Sequence, residues 1–243
     1  MKALSTYINE KLVLNKGTFK KNYKYFPKTR EELSNIIVKL LQKHREYTLL
    51  DLNDIDTSEI TDMSELFSLL NEYHIIYKID ISEWNVSNVK NMSSMFSDCN
   101  GLEYIGDLSS WDVSGVKTMD FMFENCSKLK SVGDLSSWDV SEVKDMENMF
   151  DSCETIKSIG DISSWNVSKV TNMCCMFRDC YELKSIGDIS DWKITNVKNM
   201  VSMFDGCEEL KSVGDLSSWD VSEVEDMEDM FTDSAITNIP DWY

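Results

Sequence analysis

The sequence predicts an α/β repeat solenoid, with one short strand and one short helix per unit, a stacked parallel sheet and an N-terminal helical cap. Three observations predict it. Trp84, Trp111, Trp138, Trp165, Trp192 and Trp219 are each 27 positions apart. The surrounding phrase moves with them: Val at 89, 116, 143, 170, 197 and 224, and Met at 92, 119, 146, 173, 200 and 227. The units at both ends are degenerate. A fixed period of this size marks units that cannot bury their own apolar face and must stack on their neighbours.

The elements follow in chain order. Residues 1–50 form a basic segment with a capping helix, holding eleven Lys and Arg against four Asp and Glu. Thr29 and Glu32 form a capping box, and Leu33, Ile36, Ile37, Leu40 and Leu41 then recur at helical spacing up to about Arg45. Their apolar stripe is expected to cover the first coil. Residues 51–243 form the solenoid of about seven repeats. Its first copy is degenerate, with Ile55, Ile60, Met63 and Phe67 in the Trp, Val, Met and Phe slots at an offset of 29.

Within a unit, Val116, Met119, Met122 and Phe123 are spaced three, three and one apart, which predicts a helix of two to three turns. Ser87, Ser114, Ser141, Ser168, Thr195 and Ser222 precede that Val by two positions and read as helix N-caps. The aliphatic segment Leu129 to Trp138 reads as the strand, stacked about 4.8 Å from its neighbours. Gly106, Gly133, Gly160, Gly187 and Gly214 interrupt that strand, which suggests a bulge or a special backbone angle. At the far end Ser234 takes the cysteine slot, and Pro240 blunts the last edge.

Composition narrows function. The chain of 243 residues is 42% hydrophobic and 28% charged, with a net charge of −19. That charge makes nucleic acid and anionic membrane unfavourable partners. The acid is concentrated in residues 51–243, with 39 Asp and Glu against thirteen Lys and Arg. No run approaches the length of a membrane-spanning helix, and the first residues lack a secretory h-region. Seven cysteines without a C-x-x-C pair argue against a disulfide framework or a zinc ribbon. A cytoplasmic or virion-associated location is therefore expected over the cell surface.

The unit L-x-x-V/I-G-D-L/I-S-S-W-D-V-S-x-V-x-x-M-x-x-M-F-x-x-C resembles the repeats of BspA-like leucine-rich-repeat proteins of bacterial surfaces, over residues 51–243. The resemblance implies a leucine-rich-repeat-like solenoid and a role in adhesion or interaction. Against the commoner L-D-L-S-S-W strand, the glycine in V-G-D-L looks like an insertion. Similar repeats in mobile elements and phages imply a phage or intracellular setting as an alternative.

Chemistry-bearing residues are sparse. His44 and His74 lack repeated partners, so no Ser-His-Asp or Cys-His arrangement is proposed. Cys99, Cys126, Cys153, Cys180 and Cys207 occupy one slot and read as a buried row, whereas Cys174 and Cys175 break the pattern. Asp107, Asp134, Asp161, Asp188 and Asp215 form one acidic ladder; Asn85, Asp112, Asp139, Asn166 and Asp220 form another. Compensation by turn amides and by Lys130, Lys157, Lys184 and Lys211 is favoured over calcium, because the nonapeptide and EF-hand loops are missing. The segment Lys16 to Lys28 interleaves lysines and aromatics, a nucleic-acid-like composition read instead as packing on the acidic body or an acidic partner.

No catalytic, cofactor or metal residues are assigned. The expected function is a non-enzymatic scaffold for protein–protein interaction. Selectivity is expected at positions that vary between units: Glu103, Tyr104, Phe121, Arg178 and Tyr181. The alternatives are a structural or assembly protein that self-associates as a homo-oligomer, and a calcium-dependent adhesin.

Overall fold

The computed structural model describes residues 22–44, 48–71 and 76–243. Lys16, Lys20, Lys21, Arg45 and His74 lie outside the described residues. The cap helix α1 spans Arg30–Leu41. Thr29 caps it, its hydroxyl accepting from the Glu32 amide at 3.2 Å, while the Glu32 carboxylate accepts from the Lys28 amide rather than that of Thr29. The helix ends before the expected Arg45. Leu33 and Ile37 are fully buried in one core cluster with the units that follow. The Arg30 guanidinium fixes the docking by donating to the Ser64 carbonyl at 2.7 Å.

Among the described residues, the regular elements beyond it are strands β1, Leu50–Asp51, and β2, Ile79–Asp80, paired in parallel, and a short helix α2, Ser68–Asn71. Single 3₁₀ turns occupy Leu135–Ser137 and Leu216–Ser218. Among the described residues, no helix is long and apolar enough to cross a membrane.

Successive units lie side by side. Parallel bridges join Asp62 to Asn91 and then Thr118, Asp145, Asn172, Asn199 and Asp226 in turn, with 27 residues per step after the first. Phe67, Phe96, Phe123, Phe150, Phe177, Phe204 and Phe231 form a column, each ring stacked on the next at centroid separations of 4.9 to 5.9 Å. Trp111 and Trp138 stack 6.4 Å apart with rings parallel to 1°. The Val, Met, Phe, Trp and Cys slots of the interior units form the core.

The expected helix in each unit is not formed. Between Met119 and Cys126, the amides of Met119, Phe121, Phe123 and Asn125 donate to the carbonyls of Asp145, Glu147, Met149 and Asp151 in the next unit, at 2.7 to 3.1 Å. Those of Met122, Glu124 and Cys126 donate three residues back, at 3.1 to 3.3 Å. The segment is thus a run of β-turns whose alternate amides pair between units. The turns closed by Met122 and Cys126 have their third residue in the left-handed region, Phe121 at φ 58° and Asn125 at φ 56°. A helix would consume these amides internally and leave the neighbour's carbonyls without donors.

The helix-like spacing of the apolar residues comes from the three-residue turn. Trp111, Val116, Met122, Cys126 and Leu129 each close a turn on the residue three before, so inward side chains recur every three positions. Over eight residues that period is close to the 3.6 of a helix. The continuous strand expected at Leu129 to Trp138 is also reduced. Its column contributes isolated bridges such as Lys78 to Tyr104 and Ser158 to Ser185.

The serines are not helix caps. The Ser114 amide donates to Asp112 Oδ1 at 3.1 Å, and the Ser114 hydroxyl donates to the same oxygen at 2.6 Å. The acceptor is the preceding Asx side chain, which closes an Asx turn. Gly106, Gly133, Gly160, Gly187 and Gly214 do adopt a special angle, with φ of 89° to 95°. A Cβ on Gly160 would lie 1.9 Å from Asp134 Oδ1 of the preceding unit.

Candidate interaction surface

The turn segment presents one face on which side chains differ from unit to unit over a constant backbone. Ser97, Glu124, Asp151, Arg178, Asp205 and Thr232 succeed one another in one column. Four of them form a connected network. The Ser97 hydroxyl donates to Glu124 Oε2 at 2.8 Å, and Asn148 Nδ2 bridges Glu124 Oε1 and Asp151 Oδ2, each at 3.2 Å. Arg178 closes it with Nε at 2.9 Å from Asp151 Oδ1 and Nη2 at 2.7 Å from Oδ2.

Asp151 is a buried carboxylate, 1% exposed, beside the buried amide of Asn148. Burial raises its carboxyl above the ordinary value, and the Arg178 guanidinium opposes the rise. Arg178 is held more firmly protonated by its hydrogen bond to Asp151. A two-pronged contact of this kind fixes the planar guanidinium. Arg178, expected as a selectivity residue, is therefore first of all the counter-ion of Asp151. The Asp151 partner was missed by periodicity alone; reading down the column, Asp151 before Arg178 was its visible signal.

The other expected residues are distributed around the unit. Phe121 lies on the same turn face, partly exposed. Tyr104 and Tyr181 are among the exposed large side chains, and the Tyr181 hydroxyl is raised in pKa chiefly by its hydrogen bond with Asp179. Glu103 replaces the lysine of its column and sits between Lys78 and Lys130, at 3.7 and 3.6 Å. The structure thus places the five on successive segments of the coil and does not converge them into a pocket. An open cleft of about 440 Å³ is lined by Glu65, Ser68, Leu69, Ser94, Ser97, Asp98 and Asn100, a wall of carboxylates, hydroxyls and an amide with no nucleophile–base pair.

The acidic ladders have local partners. Oδ1 of Asp107, Asp134, Asp161, Asp188 and Asp215 accepts the amide of the serine two residues on, each at 3.0 Å. Hydrogen bonds from the hydroxyl and the amide of those serines hold the carboxyls of Asp134, Asp161, Asp188 and Asp215 below the ordinary value. The expected lysine ladder acts elsewhere. Lys130 pairs with Glu103, and Lys157 with Glu182 at 3.3 Å.

The cysteine row is buried, and the Sγ atoms of Cys126, Cys153, Cys180 and Cys207 each donate to the phenylalanine carbonyl of the preceding unit, as Cys126 does to Phe96 at 3.2 Å. Burial pushes the Cys99 and Cys207 thiols up to about 12, far from the thiolate needed for nucleophilic chemistry. Cys174 and Cys175 lie on the variable face, their sulfurs 3.4 Å apart. The tryptophan row is likewise enclosed, the Trp138 Nε1 donating to the Leu108 carbonyl at 3.0 Å.

No curated protein and no solved structure matches the chain. The family model described as Mycoplasma protein of unknown function, DUF285, matches residues 36–159 and again residues 130–242. These matches span more than half of a chain built of stacked 27-residue units, and the chain belongs to that family.

Proposed function

We propose that this chain is a non-enzymatic, leucine-rich-repeat-like solenoid of the BspA-like kind that binds another protein through the side chains varying along its columns. The observation that carries this reading is the contrast between slots. The inward Val, Met, Phe and Cys positions repeat almost unchanged, while the column Ser93, Asp120, Glu147, Cys174, Val201 and Glu228 changes residue type at each step. A surface of this kind holds its contacts in place beforehand, so little ordering entropy opposes binding. Tyr104 and Tyr181 supply amphipathic area, and Phe121 apolar area, suited to an interface centre.

The test is affinity capture from the native host with the full chain and with the triple variant Tyr104→Ala, Phe121→Ala, Tyr181→Ala. The reading expects a protein retained by the parent and lost from the variant, with the variant's melting temperature and circular dichroism preserved. Equal capture by both proteins would contradict the assignment of those residues.

A further inference from the structure

The two ends of the stack are unlike. At the first unit, the extended segment before α1 already occupies the edge: the Lys24 amide donates to the Asp54 carbonyl at 2.8 Å and the Asp56 amide to the Tyr25 carbonyl at 2.9 Å. Lys24 also pairs its ammonium with Asp54. A lysine-bearing extended strand on an acidic edge is thus a contact this fold makes. At the last unit the edge is open. In the preceding unit, Met200, Ser202, Phe204 and Gly206 donate their amides to Asp226, Glu228, Met230 and Thr232. Among the described residues, the equivalent amides of Met227, Asp229, Phe231 and Asp233 meet no backbone carbonyl.

The C-terminal tail covers only part of this end. Trp242 stacks on Trp219 at 6.3 Å and Tyr243 meets Phe231 edge-on at 5.2 Å. Val221, Val224 and Met227 stay partly exposed, although their equivalents in earlier units are buried. The stretch from Asp220 to Asp233 inclusive holds seven acidic residues and no Lys or Arg. The open edge therefore asks for an extended segment with free carbonyls, aliphatic side chains and flanking positive charge.

We infer that this edge takes residues Lys11 to Lys16 of a second copy of the chain. That segment reads KLVLNK, three aliphatic residues between two lysines. Its own edge is out of reach. Lys16 lies nine residues before Tyr25, which spans at most about 32 Å of extended chain. Tyr25 pairs with the first unit, and a layer added beyond Trp219 stands eight steps away, about 38 Å at the spacing of paired strands. The contact is head-to-tail between different surfaces, so copies add in an open series rather than closing as a pair. It uses the end of the stack and does not depend on whether the lateral columns engage another protein.

The experiment is sedimentation velocity on the full chain across concentration at low and high salt, against a single-chain mass of 28.1 kDa. Association beyond one chain, weakening with salt, is the expected result. Two variants divide the contact: one carries Lys11→Glu and Lys16→Glu, the other Glu223→Lys and Glu228→Lys. Each alone is expected to stay a single chain, and their equimolar mixture to regain a complex, because the reversed charges match. Circular dichroism and melting temperature of each variant confirm that it folds. A parent that stays a single chain throughout, or variants that associate as the parent does, would overturn the inference.

Discussion

Arg178 reaches back 27 positions to grip Asp151 with two nitrogens, at 2.9 and 2.7 Å. The pair joins two units, and its acid is the more deeply enclosed member. Removing the base alone leaves a buried carboxylate without its partner. Such losses reach about 3–5 kcal/mol for fully buried pairs, and Arg178 is partly exposed, so Arg178→Ala should destabilise by roughly 2 kcal/mol. The double variant Asp151→Asn, Arg178→Gln should recover much of that loss. Urea unfolding followed by tryptophan fluorescence measures both.

Gly160 combines two demands, a φ of 91° and an Asp134 carboxylate where a side chain would go. Gly160→Ala should destabilise by more than the left-handed penalty alone, about 1–2 kcal/mol. In the background Asp134→Ala the added cost of Gly160→Ala should fall to that penalty. Equal costs in both backgrounds would show that the carboxylate is not the obstacle.

These two sites mark what the sequence disclosed and what it hid. The 27-residue step was legible because Trp, Val, Met and Phe return to the same slots, and the core rows follow from it. The local conformation was not. Phe121 and Cys175 hold positive φ in a column shared with Asn148 and Ser202, and neither residue type signals a left-handed angle. The stack imposes it, because alternate amides must face the next unit. For the interaction surface, exposed Tyr104 and Tyr181 were visible as departures from the repeat. The Asp151–Arg178 pair needed the knowledge that residues 27 apart touch.

Acid titration separates two sets of carboxyls. Hydrogen bonds from the serines two residues on lower the folded pKa of Asp134, Asp139, Asp161, Asp188, Asp215 and Asp220. Their stabilisation is present above the unfolded value of about 4 and is lost as pH falls through the folded value. Burial raises the folded pKa of Asp145, Glu147, Asp151 and Asp205. Their stabilisation is present below the unfolded value and is lost as pH rises through the folded one. The urea midpoint should therefore rise on descending from neutrality through the raised values, then drop below pH about 4. A steady decline from neutrality would contradict the buried set.

Calcium provides a separate check on the ladders. Because each Asp of the Asp107 to Asp215 row already accepts a serine amide, chelation should leave the melting temperature unchanged. A fall of several degrees on adding EDTA, reversed by calcium, would show that the turns do not suffice.

Residues 27 apart lie one above another in the stack. Lys90, Lys117, Lys144, Thr171, Lys198 and Glu225 form an exposed column linked by successive amide-to-carbonyl bonds of 2.8 to 2.9 Å. Pulsed electron spin resonance on spin labels at Lys90→Cys paired with Thr171→Cys, Lys198→Cys or Glu225→Cys, in a Cys174→Ser, Cys175→Ser background, reads that column directly. The separation should grow by about 5 Å with each added unit. A separation that stays constant or changes out of sequence order would contradict the stack.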